Sequence, residues 1–405
     1  MSWRELGIGA LKHAVWAWGR TFAASASNVR AAGRISGLAV LIAFSSIPAV
    51  AEDAADKIEG GIELEKVTDL MNAIVAANRE AYSKAVVNRL MIEAKVLRAD
   101  EQHLKKRVLP LPAQFFRAGA ELSASKNRTA TYSLQSFWSI RRLNFPRTEL
   151  EKIGLARVLG GTANFYGAES TDGSTYFIAT YPDVATNEAC VTCHNAHPDS
   201  RRQDFALGDV MGGVVVRVPL VSANGQVEAK SILASGANGA RAPRMGYRDA
   251  ADLVNSIVTA NREVYSTLVV DRLASRENVI AVSEHYVEQK CLPLPEQLFN
   301  LGAALTAGRN RTATFALRSA WALNKDSLPA SPMEKTGLAA VAAGQDRFYG
   351  VETSDGARTL VAVYPDKADS EACASCHNQH GNSPRRDFKP GDVMGGTVVR
   401  IPMSN

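Results

Sequence analysis

Two five-residue segments carry the most chemistry in this chain. They are Cys190-Val191-Thr192-Cys193-His194 and Cys373-Ala374-Ser375-Cys376-His377. Two thiols three positions apart lie on one turn of chain, where each can add to a haem vinyl group. The adjoining imidazole then sits beneath the porphyrin and binds iron as the proximal ligand. The spacing is the attachment signature of c-type haem. It predicts two covalently attached haems, on Cys190/Cys193 and Cys373/Cys376, with His194 and His377 on iron. Three other chemistries compete. A zinc ribbon needs a second C-x-x-C within about 15–20 residues, whereas these pairs lie 183 apart. A thioredoxin-like couple leaves the recurring His unexplained, and so does a structural disulfide.

The residues that could complete the iron site are less distinct. Tyr82 and Tyr265 occupy matching positions in helical patterns, where a tyrosine is more often core than ligand. Met211 and Met394 precede Gly-Gly in the last strand of each half. A distal Met would raise the potential, but packing explains a strand Met equally well. Cys291, the only cysteine outside the two pairs, stands where the first half has Val108. It reads as a small apolar core residue, with a thiolate contact to the second haem as the sharper alternative. His197 and His380 follow the proximal His by three residues, and a propionate or solvent contact is assigned to them. His103 and His285 are one register apart and share no role. Arg128 and Arg311, in matching NRTAT segments, either pair with propionates or are exposed strand arginines.

These residues recur because the chain is one domain written twice. A shift of 183 residues aligns Leu70 with Leu253 and Met211 with Met394 without a gap. VLPLPAQFF matches CLPLPEQLF, and GDVMGGVVVRVP matches GDVMGGTVVRIP. The repeat has the size of a whole domain rather than a solenoid unit. The first copy is placed at 65–220 and the second at 247–403. Between them, residues 221–246 are rich in Ala, Gly and Ser and read as a flexible linker, so the copies are expected to behave as separate domains.

Each copy opens with a long helical pattern: Val67, Leu70, Met71, Ile74, Val75, Val86 and Leu90 fall near a 3.6 period. A shorter helix follows Pro112. Strand patterns then flank Asp172-Gly173 and Asp355-Gly356, both hairpin signatures. A β-rich run closes each copy. The fold class is therefore α+β: two tandem PAS-like domains, each a long N-terminal helix plus an antiparallel sheet.

Residues 35–47 form a short apolar run behind basic residues, and Ala49 and Ala51 supply an A-x-A cleavage site before Glu52. Residues 1–51 are read as a signal peptide and the mature chain as periplasmic. The run is short for a membrane anchor, and no later segment is apolar for long enough to span a bilayer. The chain has a formal charge of +5, and the leader holds five basic groups against one acid. The remainder is nearly neutral, which leaves no basic face for nucleic acid.

Both copies resemble the c-type haem, PAS-like domain family still catalogued as a domain of unknown function. The resemblance rests on LPLPAQFF, the aromatic segments around Trp138 and Trp321, YPD ahead of the haem motif, and C-x-x-C-H-N followed by GDVMGG. Members occur as free-standing exported cytochromes and as extracytoplasmic sensor portions of kinases and cyclases. Some place a cysteine on the first helix above the haem, and neither copy here has one. The chain stops three residues after Pro402, so a transmitter domain is not expected. The resemblance implies an exported dihaem cytochrome that passes electrons to a redox partner protein. The alternative is a haem-based redox or gas sensor acting through a signalling partner. A peroxidase-like enzyme ranks third, because no distal His/Arg pair recurs in both copies.

Overall fold

The computed structural model describes residues 58–186, 188–220, 242–368 and 371–404. The segment read as a leader, the cleavage site expected after it and residues 221–241 of the linker lie outside the described residues. The first copy runs β1 (Gly61–Glu63), α1 (Leu64–Tyr82), α2 (His103–Lys106), α3 (Pro112–Lys126), β2 (Thr131–Gln135), α4 (Glu149–Leu159), β3 (Phe165–Thr171), β4 (Ser174–Val184), α5 (Glu188–Ala196) and β5 (Val210–Leu220). The second runs β6 (Arg244–Gly246), α6 (Tyr247–Val264), α7 (Pro295–Arg309), β7 (Thr314–Arg318), α8 (Pro332–Ala342), β8 (Phe348–Ser354), β9 (Ala357–Lys367), α9 (Glu371–Gln379) and β10 (Val393–Met403).

Each copy is α+β, with helices around a four-stranded antiparallel sheet. The strand orders are β2-β5-β4-β3 and β7-β10-β9-β8. The two hairpins turn where Asp-Gly predicted. Asp172 and Gly173 take φ of 52° and 74°, and Asp355 and Gly356 take 52° and 77°. Positive φ at both central positions is the type I′ turn, which matches the twist of the flanking strands. On one sheet face α4 is started by a capping box: Thr148 Oγ1 accepts from Glu151 N–H at 3.2 Å, and the Glu151 carboxylate accepts from Thr148 N–H at 3.3 Å. The same buried carboxylate takes Arg217 of β5 at 2.8 Å, which ties the helix to the sheet. Glu334 and Arg400 repeat the arrangement at 3.0 Å.

The long helices fill the positions their periodicity named: Val67, Leu70, Met71, Ile74 and Val75 are all buried. Beyond Tyr82 and Val264 they continue as wider, π-helical turns over Ser83–Glu93 and Tyr265–Arg276. These close with i→i+5 bonds, Ala94 N–H to Arg89 C=O at 2.8 Å and Glu277 N–H to Arg272 C=O at 2.9 Å.

The expected independence of the two copies is not what the structure has. One apolar core runs through both, joining Leu70, Ile74 and Val216 to Leu253, Ile257 and Val399. Residues 244–246, read as linker, form strand β6, which pairs antiparallel with β1. Helix α1 crosses α7 and α6 crosses α3 at two glycines. A Cβ on Gly302 would stand 2.8 Å from Asn78 Oδ1, and one on Gly119 would stand 2.6 Å from Asn261 Oδ1. Only glycine permits that approach. Tyr82 and Tyr265, wholly buried, meet edge-on with centroids 6.5 Å apart at the centre of this approximate two-fold arrangement. Two buried arginines then cross between copies. Arg89 donates to the carbonyls of Tyr286 at 2.9 Å and of Cys291. Arg272 donates to the carbonyls of His103 at 3.3 Å and Val108 at 2.6 Å. Hydrogen bonds from a charged donor to otherwise buried carbonyls contribute about 1.5–3 kcal/mol each. The interface is thus polar and specific at its rim as well as apolar at its centre.

Candidate functional site

Each C-x-x-C-H segment is a short helix, α5 or α9, inserted between the third and last strands of its sheet. Its base is a small apolar cluster. In the first copy Ala185, Val191, Phe205 and Met211 pack with Trp138 and Cys190, and in the second Ala368, Ala374, Phe388 and Met394 pack with Trp321. The His194 ring stands edge-on to Phe205, with centroids 5.8 Å apart and planes at 90°. His377 meets Phe388 at 6.0 Å and 88°. The phenylalanine is fixed by the residue after the motif. Asn195 Nδ2 donates to Phe205 C=O at 2.9 Å, and Phe205 N–H donates to Asn195 Oδ1 at 3.0 Å. Asn378 and Phe388 do the same at 2.9 Å in both directions. A guanidinium covers the other side of the cluster. Arg202 lies 4.4 Å from the Phe205 centroid and 5.1 Å from Trp138, and Arg385 lies 4.3 Å from Phe388 and 5.0 Å from Trp321. The imidazole thus rests edge-on against a phenylalanine whose own place is fixed by hydrogen bonds from the residue after the motif.

Electrostatics keep this site neutral. Burial pushes the pKa of His194 and His377 down, which favours the uncharged imidazole that a metal requires. Burial pushes the thiols of Cys190, Cys193 and Cys376 up, so they are protonated near neutrality. No disulfide forms among the described residues, although each pair lies on a single helical turn. The Nδ1 atoms of His194 and His377 are both buried without a hydrogen-bond partner. Two unoxidised thiols on one turn, a neutral oriented imidazole and an orphaned ring nitrogen, repeated in both copies, fit a haem of the c type. Among the described residues no group of three or more His, Cys, Asp or Glu gathers as a metal cage.

The aspartate of each YPD segment stands near the motif helix and is ion-paired to the long helix. Asp183 takes Arg79 of α1, and Asp366 takes Arg262 of α6, with Nη1 to Oδ2 at 3.0 Å. Sequence reasoning passed over Arg79, Asn195, Arg202 and Phe205 and their counterparts. Each recurs at the same 183-residue offset, which is the signal that could have found them.

The other nominated residues are placed elsewhere. Tyr82 and Tyr265 donate their phenol protons to Pro110 and Pro293 carbonyls at 2.8 Å inside the interface between copies. They are core, and their hydroxyls are committed. Met211 and Met394 pack into the clusters beneath the motif helices. Cys291 is 3% exposed and sits in the loop whose carbonyl Arg89 holds. The Nε2 of His197 meets Glu101 at 3.2 Å and its Nδ1 accepts from Asp199 N–H at 3.1 Å. His380 faces Glu284 at 3.9 Å. His103 is buried and His285 is exposed, so the two are as unlike as their register implied. Arg128 and Arg311 are exposed beside matching asparagine turns, at Asn127 and Asn310.

Fold and site together define a tandem α+β protein with one C-x-x-C-H helix set into the end of each sheet. The family model described as Tll0287-like matches it twice, over residues 63–219 and 247–402. These stretches make up most of the chain, which therefore belongs to the Tll0287-like family. No curated protein and no solved structure matches it. Among the described residues no helix is long and apolar enough to cross a membrane.

Proposed function

We propose that this chain is an exported dihaem c-type cytochrome that carries electrons between periplasmic partners, each copy being a PAS-like haem domain. The observation that carries the reading is the repeated motif helix, with paired thiols and a neutral, Phe-braced imidazole whose ring nitrogen is orphaned in both copies. Cys190, Cys193, Cys373 and Cys376 would hold two haems, and His194 and His377 would bind their irons. The haem supplies one-electron chemistry when bound. The chain's own residues brace the imidazole with Phe205 or Phe388, which Asn195 or Asn378 holds in place and Arg202 or Arg385 covers on the other side. A redox partner requires no group on this chain beyond that setting, and peroxidase activity would need a distal acid–base pair.

One observation favours haem-based redox or gas sensing through a partner protein as a second reading. Tyr82, Tyr265 and Cys291 are engaged at the interface between the copies, and Met211 and Met394 are packed beneath the motif helices. A haem without a protein-held sixth ligand binds small gases. Denaturing mass measurement of periplasmic material should show a chain starting at Glu52 and carrying two haem masses. A single haem, or haem that extracts into acid acetone, contradicts the assignment. Adding carbon monoxide to the reduced protein then separates the two readings. A Soret band that stays in place supports electron transfer, and a shifted band supports sensing.

A further inference from the structure

Beside the long helix of the second copy lies an open cavity of about 490 Å³. Its walls are one face of α6, the end of β9, the turn at Asp346-Arg347, and Lys126-Asn127 from the first copy. Its volume lies within the usual range for small-molecule sites, about 300–1,000 Å³. Most of its charges are matched within the wall: Lys126 pairs with Glu263 at 2.8 Å, Arg347 with Asp252 at 2.7 Å and Arg262 with Asp366. Among the described residues, Lys367 and Asp346 have no ion-pair partner. Asn255 lines the same cavity, and its Oδ1 is buried without a donor. A buried amide oxygen left unpaired costs about 1–3 kcal/mol.

The first copy is an internal control. Most of the wall recurs there, including Asp69, Asn72, Glu80, Asp183 and Arg309, but a few of the cavity's polar groups do not. Thr259, Asp346 and Lys367 correspond to Ala76, Ala163 and Val184, and Ser256 corresponds to Ala73. Asn72, the counterpart of Asn255, is not orphaned. The shared architecture therefore does not require these polar side chains. They accompany a cavity, an exposed lysine and an exposed aspartate without an ion-pair partner among the described residues, and a buried acceptor in want of a donor.

We propose that the second copy binds a small zwitterion of amino-acid size in this cavity. Its carboxylate would be taken by Lys367, and its ammonium group by Asp346 and Asn255 Oδ1. This site is distinct from the motif helix and does not depend on what Cys373 and Cys376 carry.

The test is isothermal titration calorimetry of the full chain, as isolated, with each proteinogenic L-amino acid. At least one is expected to bind with a Kd below about 1 mM. A triple variant, Thr259→Ala with Asp346→Ala and Lys367→Val, carries the residues the first copy already uses. It should weaken that binding at least about tenfold. Asn255→Leu alone should also weaken it, whereas Asn72→Ala should leave it unchanged. Absence of heat from every amino acid at about 10 mM, or a triple variant that binds within about tenfold of the parent, overturns the proposal.

Discussion

The two copies agree where they build the fold and differ where they touch each other. Both cap the sheet helix with a hydroxyl that accepts from the third helical N–H, and both use the same type I′ turn and the same Asn–Phe clamp beneath the motif helix. At the rim of the interface the matched residues part: His103 faces Tyr286 in the alignment, and Val108 faces Cys291. The crossing arginines still find equivalent partners, because Arg89 and Arg272 bind backbone carbonyls. A contact to backbone tolerates substitution of the side chain it passes. The interface can therefore keep its approximate symmetry while each copy acquires its own chemistry.

The largest effect should come from the centre of that symmetry. Tyr82 and Tyr265 are each fully buried, and Tyr82 also stacks on Phe115 at 4.3 Å. Tyr82→Ala or Tyr265→Ala should each lower stability by about 3–5 kcal/mol. The Tyr82 variant should lose somewhat more, because Leu298 stands in the second copy where Tyr82 stacks on Phe115 in the first. Urea unfolding of either variant, followed by both tryptophan fluorescence and circular dichroism, should remain one coincident transition. Two separated transitions would break the shared core and restore two independent domains.

A smaller effect separates the copies by pH. His103 is buried with neither ring nitrogen hydrogen-bonded, and burial together with the Arg272 charge lowers its pKa to about 4. Its unfolded value lies near 6.5, so on acidification the unfolded chain takes up the proton first. Stability is thus fully present above pH of about 6.5, falls as pH drops and has lost this contribution below about 4. The loss is about 3 kcal/mol. His103→Tyr, borrowing the second copy's residue, should flatten urea stability between about pH 6.5 and 4 relative to the parent. An unchanged slope would place the acid sensitivity elsewhere.

The sequence made visible whatever repeats locally. The 3.6 period of α1, the Asp-Gly hairpins and the two motif helices are patterns of side chains close in the chain. The docking of the copies was not visible for a physical reason. Arg89 reaches carbonyls nearly two hundred residues away, and a carbonyl acceptor has no side-chain signature. Glycines 119 and 302 carry no signal of their own, because the atom that a side chain there would strike comes from the crossing helix of the other copy. Strand β6 is too short to show a period of two. Phe205 was equally opaque, because its partner Asn195 holds it by backbone atoms.

The smallest effect concerns Cys291, where the second copy sets a thiol in the buried place of the first copy's valine. Burial raises its thiol pKa, and its Sγ lies 4.0 Å from Gln289 Oε1. Its counterpart Val108 fills the matching place below Arg272. If the thiol only packs, Cys291→Val exchanges one small apolar group for another at a cost under about 1.5 kcal/mol. Both reduction potentials should then stay where they were. A thiolate ligand would instead hold one potential low, because it pushes electron density onto iron, and its removal would raise that potential alone. A redox titration of parent and variant distinguishes these outcomes. The loop's position between Arg89 and the LPLP segment makes unchanged potentials the expected result. One shifted potential would mean that the second copy differs from the first at its iron as well as at its interface.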